Sequence, residues 1–140
     1  MKLTIALVLA SVLLFVGEWI YRGFLRPIDP LTPDLMALAE HFRSSGIDVR
    51  PYPVRHGYRH SQVTAAAAFE IKGFPLPVSI DVCPNAVAAA TRLSRVAVSP
   101  NFGSPMQNGR LVMYLASWGD DTADIARKVE VVFSSFRDRT

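Results

Sequence analysis

Residues 50–60 read Arg-Pro-Tyr-Pro-Val-Arg-His-Gly-Tyr-Arg-His. Arg50, Arg55 and Arg59 are interleaved with Tyr52, His56, Tyr58 and His60, and no acid interrupts them. Guanidinium forks bind phosphate or carboxylate, while tyrosine rings stack on planar groups or settle at a membrane interface. One expectation is therefore an anionic-ligand or lipid-headgroup site built from Arg50, Tyr52, Arg55, His56, Tyr58, Arg59 and His60. The other is a solvated loop shaped by Pro51, Pro53 and Gly57. His56 and His60 also form His-x3-His, which on a helix would turn two imidazoles toward a metal. Gly57 and the prolines disfavour that helix, and no further ligand is close in sequence, so neither a metal nor another cofactor is expected.

The remaining candidates are weaker. Glu70 and Asp81 fall on one face of an expected hairpin, with Ala66 set opposite Asp81. Acid–base work by paired carboxylates is one use of such residues, and solvated surface charge is the other. Asp120, Asp121 and Asp124 have the look of a cation site, yet helix capping already accounts for them. Cys83, the only cysteine, precedes Pro84 at a strand end with no activating neighbour in sequence, which suggests a small buried side chain. One cysteine also excludes an internal disulfide framework. The loop 99–109, with Asn101, Phe102, Gly103, Met106, Gln107 and Asn108, is either a binding loop or a long hairpin connection. The chain has no Gly-x-Gly-x-x-Gly, P-loop, His-Glu-x-x-His or Gly-x-Ser-x-Gly, and no catalytic residue is assigned.

These groups need elements to hold them, and the chain's 140 residues are enough for one domain. Half the residues are hydrophobic and 19% are charged, which excludes a disordered polyelectrolyte. The net charge of +3 is concentrated at one end. Without Lys2, Glu18, Arg22 and Arg26 the rest holds 12 basic and 11 acidic residues, a net of +1. Nucleic-acid binding by a basic domain is therefore not expected.

Leu3–Tyr21 is apolar or small apart from Thr4, Ser11 and Glu18. As a helix it measures roughly 28 Å at 1.5 Å per residue, close to the ~30 Å of a bilayer's hydrocarbon core. Trp19 and Tyr21 suit the interface, and Arg22 and Arg26 would reach the headgroups. The expectation is a single-pass membrane anchor over 1–22, contacting lipid through residues 3–21. A cleaved export signal has a similar layout. Its best cut, after Val8-Leu9-Ala10, leaves about seven apolar residues, the lower end of the usual range. Lys2 before the apolar run favours the amino terminus inside and the domain on the extracytoplasmic side. Residues 23–32 form a Pro-rich linker, with Pro27 and Pro30 followed by Pro33. It is short enough to keep the domain near the bilayer.

The domain, 33–140, is read from periodicity. Thr32-Pro33-Asp34 starts a helix with a hydroxyl cap and Pro at the first position, ending near Ser44-Ser45-Gly46. A short edge strand from Ile47 is halted by Pro51 and Pro53. Residues 63–71 and 76–82 alternate at period two and form a hairpin about Lys72–Pro75. Pro84-Asn85 opens a helix to Arg95, and Val96–Ser99 and Arg110–Ser117 read as strands. In the last helix Ile125, Ala126, Val129, Val132, Phe133 and Phe136 share one stripe, with acids at its start and Arg137 and Arg139 at its end.

The resulting order, α-β-β-β-α-β-β-α, predicts an α+β domain of two layers, with its helices on one face of a mostly antiparallel sheet. That order resembles the secretion-chaperone-like fold. The resemblance is one of topology, and the N-terminal anchor departs from those soluble dimers. The functional expectation is a membrane-tethered, non-enzymatic domain acting in protein–protein interaction or assembly, with a protein partner or a second copy of itself. The alternatives are the anionic-ligand module and an enzyme whose site gathers only in three dimensions.

Overall fold

A computed structural model describes residues 2–21, 28, 30–54, 62–99, 102–116 and 120–137. The first element is helix α1, Lys2–Ile20. After it come α2 (Pro33–Ser44), β1 (Val49–Pro53), β2 (Ala65–Ile71), β3 (Val78–Val82), α3 (Ala86–Ala97), β4 (Phe102–Asn108), β5 (Leu111–Ala116) and α4 (Ala123–Ser135). The fold is α+β. Five strands in the order β1-β2-β3-β5-β4 form one sheet in which every pairing is antiparallel.

Alternation sorts the strand residues onto two faces. On the first face Ala65, Ala67, Phe69 and Ile71 of β2 join Val78, Ile80 and Val82 of β3 and Leu111, Met113 and Leu115 of β5. Leu35, Leu38, Ala39 and Phe42 of α2 and Ala126, Val129, Val132 and Phe133 of α4 cover them. The Phe42 and Phe69 rings meet nearly edge to face, centroids 6.0 Å apart. On the opposite face Cys83, Val112 and Tyr114 pack with Ala88, Ala89 and Leu93 of α3. The expectation that all helices share one face is thus corrected. α2 and α4 lie on one side of the sheet and α3 on the other, because β5 is apolar on both faces.

Two further corrections concern the segment after α3. Residues 96–99 are no strand. Val96 continues the buried side of α3 begun by Ala89, and packing there overrides the β preference of valine. The fourth strand is instead Phe102–Asn108, inside what reads as a loop. Gly103 and Pro105 hide it. As the outermost strand, β4 tolerates a proline and the register shift between Gly103 and Met106. Gly109 makes the tight return to β5, with φ +57 at the first turn residue, a conformation that glycine adopts freely. β1 likewise holds an edge, as Pro51 and Pro53 suggest, though it runs through those prolines rather than stopping before them.

Helix ends are tied by side chains from other elements. The Asn85 side chain caps α3 by accepting from the Ala88 N–H at 2.8 Å. Thr32 sits at the expected cap of α2 but makes no capping bond. A single 3-10 turn, Asp120–Thr122, leads into α4. At the far end of α4, Asn108 Nδ2 donates to the carbonyls of Phe133 (2.6 Å) and Phe136 (2.7 Å). His41 Nε2 lies 3.1 Å from the Val132 carbonyl, which only accepts, so this nitrogen carries the proton. The last turn of α4 is thereby bound to both β4 and α2. Arg110 in the β4–β5 turn pairs with Asp34 of α2 at 2.7 Å.

α1 stands apart from this packing. Leu7, Leu13, Leu14, Phe15 and Trp19 fall on all sides of the helix and are all exposed, Leu14 by 76%. Among the described residues no helix is long and apolar enough to cross a membrane. The part of α1 whose side chains are described, Ile5–Ile20, is roughly 24 Å long at 1.5 Å per residue. The transmembrane expectation is therefore without support from the structure.

Two substitutions test this packing. Phe133→Ala is expected to lower unfolding stability by about 3–5 kcal/mol, while Val131→Ala, on the exposed side of the same helix, changes it little. Asn108→Ala strands two carbonyls at the end of α4 and is expected to cost about 1–3 kcal/mol. Urea unfolding of each variant measures both.

Candidate functional site

The most unusual chemistry among the described residues lies under α3. Ser79 and Asp81 of β3 alternate with Val78, Ile80 and Val82, so their side chains are on the α3 side of the sheet. Register places Asp81 beside Ala66 on one strand and Val112 on the other. The Ala66 pairing is as expected from the hairpin. The solvated Asp81 is not: it is only 4% exposed. One turn before Val96 on α3, Arg92 extends across β5 and donates from Nε to Asp81 Oδ2 at 2.7 Å. Its Nη2 lies 3.4 Å from the Tyr114 hydroxyl, and the guanidinium carbon is 5.8 Å from the centre of the Tyr114 ring.

Burial and charge act on each member differently. Desolvation opposes the Arg92 charge, but the hydrogen bond and charge of Asp81 outweigh it and raise the pKa above the ordinary guanidinium value. Tyr114 is raised by burial and then by the Asp81 charge, partly offset by Arg92 and by a hydrogen bond with Ser79. Cys83, fully buried next to this group, is pushed up to about 11, first by desolvation and then by Asp81, against the opposing charge of Arg92. These shifts stabilise a paired ion and two neutral acids. A reactive thiolate or phenolate requires the reverse environment. Asp81 and Arg92 therefore act as a buried lock between sheet and helix.

Of the site residues expected from sequence, Arg50 and Tyr52 fall within the described residues, both on β1. Arg50 is exposed on β1 directly opposite Glu70, so an acid faces it in space although none falls within residues 50–60. Asp48, Arg50, Glu70 and Lys72 border an open hollow of about 340 Å³. Tyr52 is half-buried, opposite Ala68. Arg55, His56, Tyr58, Arg59 and His60 lie outside the described residues, and so does Asn101 of the 99–109 segment. Glu70 is exposed and, unlike Asp81, lies away from the α3 lock. Asp121 and Asp124 are exposed, and among the described residues no three metal-ligating side chains converge. Cys83 is buried, as its position before Pro84 suggests.

A second hollow, about 720 Å³, opens between α2 and the end of α4, bordered by Asp34, Glu40, His41, Ser135 and Arg137. His41 and Ser135 are 2.9 Å apart there, a distance that suits a nucleophile and its base. The protons contradict that role. Ser135 Oγ donates to the Val132 carbonyl at 2.8 Å, and His41 Nε2 already holds its own proton against the same carbonyl. The pair closes a helix end.

Arg92 and Tyr114 are the residues that the sequence reading misses. The available signal is the unbroken apolar run Leu111–Leu115, which marks a strand covered on both faces. An arginine between Ala89 and Val96 on the helix that provides the second cover then requires a buried acid. The chain matches no protein-family model, no curated protein and no solved structure.

A pH dependence follows from the raised thiol. Above its ordinary value of 9.0 an unfolded Cys83 loses its proton while the folded one retains it, so the folded state binds more protons and loses stability as pH rises. Tyr114 acts in the same sense at higher pH. Urea midpoints at pH 7, 9 and 10.5 are expected to fall across the last interval, and to fall less in Cys83→Ala. Equal losses in the two proteins would contradict the raised thiol.

Proposed function

We propose that this chain is a membrane-tethered, non-enzymatic α+β domain that acts by protein–protein interaction or assembly. The observation that carries the reading is α1, whose apolar side chains are exposed on every side and belong to neither packed cluster. A helix that is apolar all round needs a cover, and lipid provides one for a single helix without a matching protein surface. With Leu3, Thr4 and Tyr21 the apolar sequence extends to roughly 28 Å, within reach of a hydrocarbon core. Lys2 ahead of the run favours a domain on the extracytoplasmic side.

The non-enzymatic part of the reading rests on how the titratable groups are engaged. Asp81 is paired with Arg92, the Cys83 thiol is held protonated, and His41 donates to a backbone carbonyl. Each of these groups serves packing. Prolines in both edge strands make association by strand addition unfavourable. Partners would therefore meet the helices.

The full chain expressed in bacteria is expected to stay with membranes through carbonate and high-salt washes. Placing lysines at Leu9 and Leu13 adds about 2.5–3.5 kcal/mol each to insertion and is expected to release it. A soluble mature form beginning after residue 17 would reject the tether. Cross-linking of the washed membranes is expected to trap a second copy or another protein on the domain, and recovery of the monomer alone would reject the interaction role.

A further inference from the structure

The three domain helices bury unequal sets of apolar side chains. α2 buries Leu35, Leu38, Ala39 and Phe42, and α4 buries Ala126, Val129, Val132 and Phe133. α3, of the same length as α2, buries only Ala89 and Val96. Beneath it the packed cluster is small: Cys83, Ala89 and Val112, with Ala88, Leu93 and Tyr114 partly covered. The outer side of α3 presents Val87 and Val98, 77% and 82% exposed. What apolar packing does not provide, polar contacts do. Arg92 reaches Asp81 and Tyr114, and Gln107 Nε2 of β4 donates to the Ala86 carbonyl at 2.9 Å.

Segments with few buried apolar contacts open separately from the rest of a domain. Before α3 the strand ends at Val82 and Pro84-Asn85 separates it from the helix, and the helix itself finishes at Val98-Ser99. Lifting α3 would leave the first face of the sheet, with α2 and α4, intact. We propose that α3 is a hinged cover that opens as a unit from the otherwise folded domain, with the Arg92–Asp81 ion pair as its latch. Opening uncovers Cys83, Val112 and Tyr114, a surface the closed domain conceals.

Cys83 reports the opening, because the closed state buries its sulfur completely and holds its proton. The full chain in detergent micelles is treated at pH 8 with an aromatic disulfide. Attack by the Cys83 thiolate forms a mixed disulfide and releases one coloured aryl thiolate per chain. Hydrogen exchange is followed in parallel. After correction for intrinsic rates, α3 amides are expected to exchange at least about tenfold faster than those of α2 and α4. Labelling of Cys83 at low urea is expected to depend on urea less steeply than global unfolding does. Arg92→Met is expected to raise the labelling rate at least about tenfold by removing the ion pair with Asp81 that holds α3 closed. If that variant does not fold, Arg92→Lys replaces it, with a several-fold rise expected. Equal protection of α3 and α4, labelling that follows global unfolding, or a rate unchanged in the folded variant would each overturn the proposal.

Discussion

Strand β5 has no face to give to water. Leu111, Met113 and Leu115 lie in the core formed with α2 and α4, and Val112 and Tyr114 lie under α3. A strand with that pattern must sit inside the sheet and be covered twice. β5 is accordingly next to the last position, flanked by β3 and β4, and the helix that precedes β4 in the chain covers its second face. Helices α2 and α4 cannot provide that second cover. They are already joined through Phe42, Phe133 and the His41–Val132 bond on the opposite side.

Double cover has a consequence for charge. Asp81 on β3 is drawn under the edge of α3, where a carboxylate loses its water, and a cation on the covering helix compensates for that loss. Arg92 provides it, and its second nitrogen satisfies Tyr114. Farther along the same face the covering element ends. Ala66 and Ala68 of β2 lie there with Tyr52 and the opposed Arg50 and Glu70. Small residues keep that part of the sheet shallow. The polar lock therefore stands at the margin of α3, the place at which a helix with few buried side chains most needs a directional contact.

The order of the elements was legible in the sequence because their punctuation is local. Pro33 at the start of α2, Asn85 before α3 and the period-two runs of β2 and β3 each state their conformation over a few residues. The buried stripe of α4, from Ile125 to Phe136, is as clear. β4 was not legible, because Gly103 and Pro105 are loop signals unless the strand is already known to be an edge. Its edge status comes from β5 inserting between it and β3, a fact of tertiary pairing. The buried lock was obscured for a related reason. Asp81 and Arg92 are each ordinary surface residues until a helix is placed on the second face. Of the Arg, Tyr and His residues in the 50–60 cluster only Arg50 and Tyr52 fall within the described residues, and the cluster's uniform charge is a property of the sequence window. Across the sheet Arg50 already faces Glu70.

Tethering, if α1 is lipid-bound, changes what the sheet edges must withstand. Chains held in one plane meet far more often than chains free in solution, and exposed strands then invite pairing between copies. Both edges of this sheet carry the residue that resists such pairing. Pro51 and Pro53 remove donors from β1, and Pro105 does the same for β4, where the register shift further twists the strand. The price in local regularity is small, because an outermost strand needs only one good neighbour. β1 keeps a full ladder with β2, from Val49 opposite Ile71 to Pro53 opposite Ala67. Under the proposed reading, recognition is consequently left to side chains on α3 and on the outer surfaces of α2 and α4.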